Sequence, residues 1–188
     1  MGDFSANAEK ILEFVHRAQE RRCELVVFPE CALFGYWAGD LLERETVVKE
    51  QLKALTQLER KMPKGIAVLF GLVTKNTKKS GRPYFNSAAL LERGKKSKFF
   101  SKELLPNYDV FDEYRHFEFA DLGQNITTIS KKKVLVTICE DIWAWPEAWA
   151  GMRYPRNPLQ KIRGKKLDLV VNLSASPFSP TKMKRRLI

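Results

Sequence analysis

The chain has 188 residues, of which 44% are hydrophobic and 29% charged, and its 33 lysines and arginines against 22 acids give a net charge of +11. This composition excludes a disordered chain, and no apolar run reaches the ~18 to 20 residues that a membrane-spanning helix needs. The opening Met1-Gly2-Asp3 lacks the basic, apolar character of a secretory signal, so the sequence predicts a cytoplasmic protein with one domain.

The first half of the chain alternates helices with strands. Apolar residues at helical spacing predict an amphipathic helix over residues 5–22, and a short apolar run predicts a strand over 25–28 that is buried on both faces. A second helical pattern covers 46–62 and ends before a Pro-Lys-Gly turn. A second buried strand is predicted over 66–73.

The second half contains further strands. Residues 85–92 and 97–101 flank a polar turn and predict a hairpin, and strands are predicted over 134–138 and 167–171. A helix is expected to begin within 146–150. Alternating strands and helices predict an α/β fold. Because the chain begins directly on a helix and stops in the first turn of another, we expect a domain that is truncated at both ends.

Cysteine and histidine counts restrict the kinds of site. Cys23, Cys31 and Cys139 have no CxxC spacing, which argues against a disulfide framework, and only two histidines are present, so we expect no metal site. We expect Cys23 and Cys31 to be small packing residues.

Basic residues occur in runs between the apolar segments. We interpret these runs as solvated loops and do not expect nucleic acid as a partner, unless the fold assembles a basic patch in three dimensions. The runs are 75–79, 93–96, 131–133, 161–166 and 184–186.

Three residues at predicted strand ends could carry chemistry. Cys139 follows a strand, where a thiol can project into a cleft and the next backbone N–H groups can face a developing oxyanion. Glu140 and Asp141 follow it directly, so we expect the pKa of the thiol to be raised. Taken alone, Cys139 is equally consistent with a buried inert cysteine, Glu30 with a turn cap, and Lys102 with a solvated lysine.

Considered together, the motifs around these residues resemble a known signature. Phe28-Pro29-Glu30, Lys102 with Leu105-Pro106, and Ile138-Cys139-Glu140-Asp141 stand in the Glu, Lys, Cys order of the nitrilase, or carbon–nitrogen hydrolase, superfamily. Segments 102–117, 138–143 and 172–178 are similar to the glutaminase domain of glutamine-dependent NAD(+) synthetases. The resemblance spans residues 2–182 and implies an αββα sandwich over a partial carbon–nitrogen hydrolase domain, residues 1–188.

The resemblance assigns roles to individual residues. It implies that Cys139 is the nucleophile, Glu30 the general base and Lys102 the cation that stabilises the thiolate and the oxyanion. Glu113 matches a second acid that orients the lysine. Three residues match positions that contact glutamine: Tyr108, Ser176 and Lys182. The family usually has glycine where Thr181 precedes this lysine, and a proline where Trp37 stands.

This resemblance implies an amidohydrolase that releases ammonia from L-glutamine through a cysteine thioester. The ammonia would amidate deamido-NAD(+) in a synthetase domain that this sequence lacks, and ATP and Mg²⁺ would act only there, since the glutaminase reaction needs no cofactor. The family also implies a homo-oligomer. We keep three alternatives open: a free-standing amidase of the same superfamily, a Cys139–His116 mechanism, and an inactive basic interaction module with this fold.

Overall fold

The computed structural model describes residues 1–36, 38–144 and 154–176. Within these ranges the chain forms two α-helices, α1 (Phe4–Glu20) and α2 (Glu45–Lys61). It also forms seven strands: β1 (Leu25–Val27), β2 (Ala67–Lys75), β3 (Tyr84–Glu92), β4 (Lys98–Ser101), β5 (Ile126–Ile129), β6 (Lys132–Ile138) and β7 (Leu169–Leu173). Short 3-10 turns cover Gly39–Glu43, Glu113–Arg115, Leu122–Gln124, Cys139–Ile142 and Pro158–Ile162.

Both α-helices are amphipathic, as their sequence pattern predicts. The Asp3 carboxylate caps α1 by accepting a hydrogen bond from the backbone N–H of Ala6 at 3.0 Å. One polar residue, Gln51, lies on the buried face of α2. Its side-chain amide donates to the Val73 carbonyl at 2.6 Å and accepts from the Val73 N–H at 2.9 Å, so the buried amide ties α2 to β2.

The strands form two sheets. The first has the order β1-β2-β3-β4, in which β1 is parallel to β2 and the remaining pairs are antiparallel. The second has the order β5-β6-β7, with β5 antiparallel and β7 parallel to β6.

The two sheets pack face to face in a layered sandwich. The helices cover the outer face of the first sheet, and its inner face shares an apolar core with the second sheet that includes Leu69, Leu90, Val136 and Leu173. On the outer face of the second sheet, the described residues form a smaller cluster in which 3-10 turns rather than an α-helix pack on the strands.

The carboxyl ends of β1, β4, β6 and β7 meet at one end of this sandwich. Side-chain contacts join the segments that follow them: Glu30 after β1 contacts Lys102 after β4, and Cys139 after β6 contacts Ser174 after β7. Glu30, Lys102 and Cys139, the three catalytic candidates, therefore lie at the same end.

Several sequence predictions need correction. β5 was not predicted, because its Ile-Thr-Thr-Ile sequence has no alternation of apolar and polar residues. The strand predicted over 25–28 is not buried on both faces: β1 is an edge strand, and Val27 is 40% exposed. The helices expected within 146–150 and at the end of the chain lie outside the described residues. None of the described helices is long and apolar enough to cross a membrane.

Candidate active site

The turn after β6 holds one cysteine in an unusual backbone conformation. Cys139 begins the 3-10 turn with φ of +44°, a left-handed conformation that costs non-glycine residues on the order of 1 to 3 kcal/mol. Its side chain is buried, and its carbonyl accepts a hydrogen bond from the Asn172 amide at 3.2 Å. The fold thus holds Cys139 in a strained position that regular secondary structure would not produce.

Asp141 joins this turn to the segment that carries Lys102. One carboxylate oxygen accepts hydrogen bonds from the backbone N–H groups of Glu103 and Leu104, each at 2.9 Å, and the other accepts from Ile138 N–H at 2.9 Å. Asp141 is completely buried, and burial raises its pKa to about 6, although the three N–H donors oppose this shift.

Two hydroxyl groups contact the thiol. Ser174 Oγ lies 3.4 Å and Ser176 Oγ 3.7 Å from the sulfur of Cys139. Burial and the Glu30 carboxylate raise the pKa of the thiol to about 11, while Lys102 and the two hydroxyls act in the opposite direction. The resting thiol is therefore neutral, and a base must remove its proton.

The sequence prediction for this pKa was correct in direction but wrong in cause. Glu140 and Asp141 were expected to raise it, yet burial and Glu30 dominate. The reason is that both neighbouring carboxylates face other donors: Asp141 faces backbone N–H groups, and Glu140 faces two tyrosines.

Glu30 is a buried carboxylate that lies close enough to Cys139 to raise the pKa of its thiol, so it is the candidate base. It is 2% exposed, and Oε1 accepts hydrogen bonds from the Asn86 amide and from Lys102 Nζ, each at 2.8 Å. Oε2 accepts from Ala175 N–H at 3.3 Å. These donors fix the direction of the carboxylate.

Gly71 of β2 allows the Glu30 loop to lie where it does. A Cβ atom at this position would lie 2.1 Å from Cys31 N and 2.7 Å from Glu30 Cα. The two segments also exchange hydrogen bonds, from Gly71 N–H to Pro29 O at 3.1 Å and from Leu33 N–H to Gly71 O at 2.9 Å. Only glycine accommodates this close approach of two backbones.

Lys102 lies between two buried carboxylates. Its Nζ is 2.8 Å from Glu30 Oε1 and 2.8 Å from Glu113 Oε1, and all three side chains are inaccessible to solvent. Burial alone would lower the pKa of Lys102, but the two carboxylates more than offset it, so the ammonium stays charged. Burial raises the pKa of Glu113 to about 7 against the opposing effect of Lys102.

Glu140 forms a second acidic position beside the cysteine. The hydroxyls of Tyr108 and Tyr154 both donate to the same oxygen, Oε1, at 2.9 Å. Burial and the carboxylate raise the pKa of each tyrosine, so both hydroxyls remain protonated donors. The two hydrogen bonds thereby orient the Glu140 carboxylate.

The structure therefore brings together most of the residues singled out in the sequence. Glu30, Lys102, Glu113, Cys139 and Ser176 form one connected cluster. Tyr108 joins it indirectly, through Glu140, which follows Cys139 in the chain. Lys182, Thr181 and Trp37 lie outside the described residues.

Cys23 and His116 lie away from Cys139, whereas the Cys31 thiol lies beside the site, 3.9 Å from Asn86 Oδ1. Cys31 is buried as predicted, but Cys23 is exposed, so its predicted packing role was wrong. His116 groups with Asp40 and Glu43, whose ligand atoms lie within 4.8 Å of one another, but Arg115 already forms ion pairs with both carboxylates. This arrangement favours an ion-paired surface cluster over a metal site or a Cys–His pair.

The sequence analysis assigned no role to Asn86, Ser174 or Tyr154, and it assigned Glu140 and Asp141 only an effect on the pKa of Cys139. Asn86 had a usable signal, since it is a polar residue in the middle of a buried strand. Gly71, likewise in an apolar strand, carried a similar signal. Tyr154 had none, because its partner Glu140 becomes a neighbour only in the folded chain.

Comparisons with known proteins agree on the fold. Residues 1–172 match the family model described as carbon-nitrogen hydrolase. A glutamine-dependent NAD(+) synthetase from Synechocystis sp. is 41% identical over 182 residues, which is 95% of this chain and 32% of the relative. A glutamine-dependent NAD(+) synthetase from Acinetobacter baumannii, solved with ADP, superposes with a TM-score of 0.83 at 33% identity and covers 99% of this chain.

A more distant structure shows the fold alone. An amidase of the nitrilase superfamily from Nesterenkonia sp. AN1 superposes with a TM-score of 0.72 at 17% identity, over 96% of this chain and 63% of the amidase. The predicted nitrilase-like α/β sandwich is confirmed. The chain spans about a third of the length of the synthetases that it matches.

Proposed function

The chain belongs to the carbon–nitrogen hydrolase family, and we propose that it is the glutaminase part of a glutamine-dependent NAD(+) synthetase. The observation that carries this proposal is the buried Glu30–Lys102 pair beside Cys139, in a chain that is 41% identical to such a synthetase. The proposed reaction hydrolyses the side-chain amide of L-glutamine to glutamate and ammonia.

The first step forms a thioester. Because the pKa of Cys139 is raised to about 11, Glu30 takes the thiol proton as the sulfur attacks the amide carbon. The Lys102 ammonium stabilises the negative charge that develops on the amide oxygen. A preorganised donor of this kind is worth about 3 to 4 kcal/mol.

Ammonia leaves when the tetrahedral intermediate collapses. The C–N bond breaks, and the leaving nitrogen receives the proton that Glu30 took from the thiol. Water then attacks the thioester while Glu30 accepts a proton from it. The C–S bond breaks, Glu30 returns the proton to the sulfur, and glutamate is released. The two serine hydroxyls stabilise the thiolate at this stage through their contacts with sulfur.

Glutamine differs from simple amides by its α-ammonium and α-carboxylate groups. We propose that the α-ammonium group of glutamine binds the Glu140 carboxylate, which follows the nucleophile in the chain. The hydroxyls of Tyr108 and Tyr154 orient this carboxylate by donating to one of its oxygens. Ser176 and Lys182 are the proposed contacts for the remaining polar groups. Glu113 positions the Lys102 ammonium from the side opposite Glu30.

The wider assignments are also part of this proposal. Residues 1–188 constitute one partial carbon–nitrogen hydrolase domain, and a synthetase part of the same protein uses the ammonia, ATP and Mg²⁺ to amidate deamido-NAD(+). The family suggests a homo-oligomer. A catalytic thiol that must stay reduced favours a cytoplasmic location.

A substrate panel tests this function. Ammonia release from L-glutamine should exceed release from ω-amides that lack the α-ammonium, and nitriles should not react. Glu140→Gln should raise KM for glutamine by about tenfold or more and leave the rate with a simple ω-amide unchanged. Preference for a different amide would favour a free-standing amidase, and no turnover with any amide would contradict the proposal.

A further inference from the structure

The excess positive charge of this chain is concentrated at one end of the sandwich. Five segments at strand starts, helix ends and turns opposite Cys139 contain fourteen lysines and arginines against five acids, a net charge of +9 out of +11 for the chain. The structure thus assembles what the sequence analysis interpreted as scattered solvated loops. We call this surface the basic end; its segments are 20–24, 59–65, 92–98, 130–133 and 164–168.

Contacts between these segments show that they are neighbours. Gln19, at the end of α1, donates to the Lys64 carbonyl at 2.8 Å, and Arg93 donates to the Met62 carbonyl at 3.0 Å. Across the two sheets, Lys98 Nζ donates to Thr127 Oγ1 at 3.0 Å. Asp168 accepts a hydrogen bond from Lys133 N–H at 2.7 Å, which joins segment 164–168 to segment 130–133.

Most of these cations have no carboxylate partner. Within the described part of the chain, Lys95 and Lys132 are the members of the basic end that form ion pairs, with Glu92 and Asp168. At the opposite end, ion pairs with acids neutralise four cations: Lys75, Lys102, Arg115 and Lys161. Clustered unpaired charge raises the electrostatic free energy of the folded chain, so stability does not explain the basic end.

An aromatic ring lies among the basic side chains. Phe99, on the edge strand β4, is 47% exposed and follows Lys98. It borders a groove of about 430 Å³ that Glu59, Glu92 and residues 94–97 also line. Such a groove offers a stacking face for a base and, beside it, the exposed Lys96 ammonium for a phosphate.

We propose that the basic end binds single-stranded nucleic acid. The charge supplies sequence-independent attraction to phosphates, and Phe99 with its groove accepts an unpaired base. Unpaired cations beside one exposed ring match the phosphates and stacking bases of a single strand, which is why nucleic acid is favoured over a purely acidic protein segment. Because the basic end lies opposite Cys139, binding there should not depend on glutamine or on the thiol.

Fluorescence anisotropy with a labelled 20-nucleotide oligo-dT tests this proposal. Neutralisation of about five phosphates predicts an affinity about 100-fold weaker at 200 mM than at 50 mM NaCl. Lys96→Gln with Lys131→Gln should weaken binding and reduce the magnitude of the salt slope by about 1.4. Lys78→Gln with Lys79→Gln is the matched control, since these exposed lysines lie beyond β2, at the opposite end.

A second pair of variants tests the aromatic contact. Phe99→Ala should weaken oligo-dT binding about tenfold, whereas Phe119→Ala, equally exposed at the other end, should have no effect. Poly-L-glutamate serves as the acidic-protein probe. The proposal is overturned if oligo-dT does not bind, or if the two pairs of lysine variants weaken oligo-dT binding equally. It is also overturned if poly-L-glutamate binds as tightly as oligo-dT and Phe99→Ala changes the affinity for neither ligand.

Discussion

The ammonium of Lys102 lies 2.8 Å from Oε1 of Glu30, and neither side chain is accessible to solvent. An ion pair at this depth is not explained by stability, because the desolvation of two charges offsets much of their attraction. In the proposed mechanism the pair supplies a base and a cation beside Cys139, whose pKa is raised to about 11.

Replacing Lys102 with methionine should abolish glutaminase activity and lower the free energy of unfolding by about 3 to 5 kcal/mol. The substitution leaves Glu30 and Glu113 buried without a counter-charge. Adding Glu113→Gln should restore part of the stability but none of the activity. Urea unfolding and ammonia release measure the two effects, and recovery of both together would show that Lys102 is only structural.

Asn86→Leu should lower kcat by about 10- to 100-fold, because Glu30 loses the amide donor that orients its carboxylate. Gln51→Leu is the matched control: it also removes a buried amide, but one that binds the backbone of Val73. Both variants should lose stability, measured by urea unfolding. An equal fall in kcat for both would mean that Asn86 acts through stability alone.

Gly71→Ala should reduce activity strongly, since the new Cβ would collide with the backbone of Glu30 and Cys31. The loop must move away from β2, and Glu30 moves with it. Steady-state kinetics and circular dichroism would separate loss of geometry from loss of fold. Full activity in a folded Gly71→Ala variant would argue against a precise position for Glu30.

The stability of the chain should depend on Glu113 as pH changes. Its pKa is about 7 in the folded chain and near 4.5 when exposed, so the folded state binds the extra proton between these values. Stability therefore falls as pH rises through this window, by up to about 1.4 kcal/mol per pH unit. Glu113→Gln should remove this contribution, and urea unfolding of both proteins from pH 4.5 to 7.5 would reveal it. Parallel curves would contradict the shift.

The sequence predicted the two described helices and most strands from hydrophobic periodicity, a local feature, and the catalytic candidates from the resemblance of their motifs to the carbon–nitrogen hydrolase signature. It did not predict the cause of the Cys139 pKa, which depends on where Glu30, Glu140 and Asp141 face after folding. The contact between Tyr154 and Glu140 could not be predicted either, because the two residues become neighbours only in the folded chain. The basic end was missed for the same reason, since its five segments are distant in the chain.

The most direct test of the proposed site is mass-spectrometric mapping of the chain after treatment with a glutamine-mimicking diazoketone. Labelling should be confined to Cys139, decrease with excess glutamine, and disappear in Cys139→Ala but not in Cys23→Ser. Equal labelling of Cys23, Cys31 and Cys139, or labelling of Cys139 that glutamine does not reduce, would contradict the proposed nucleophile and its glutamine pocket.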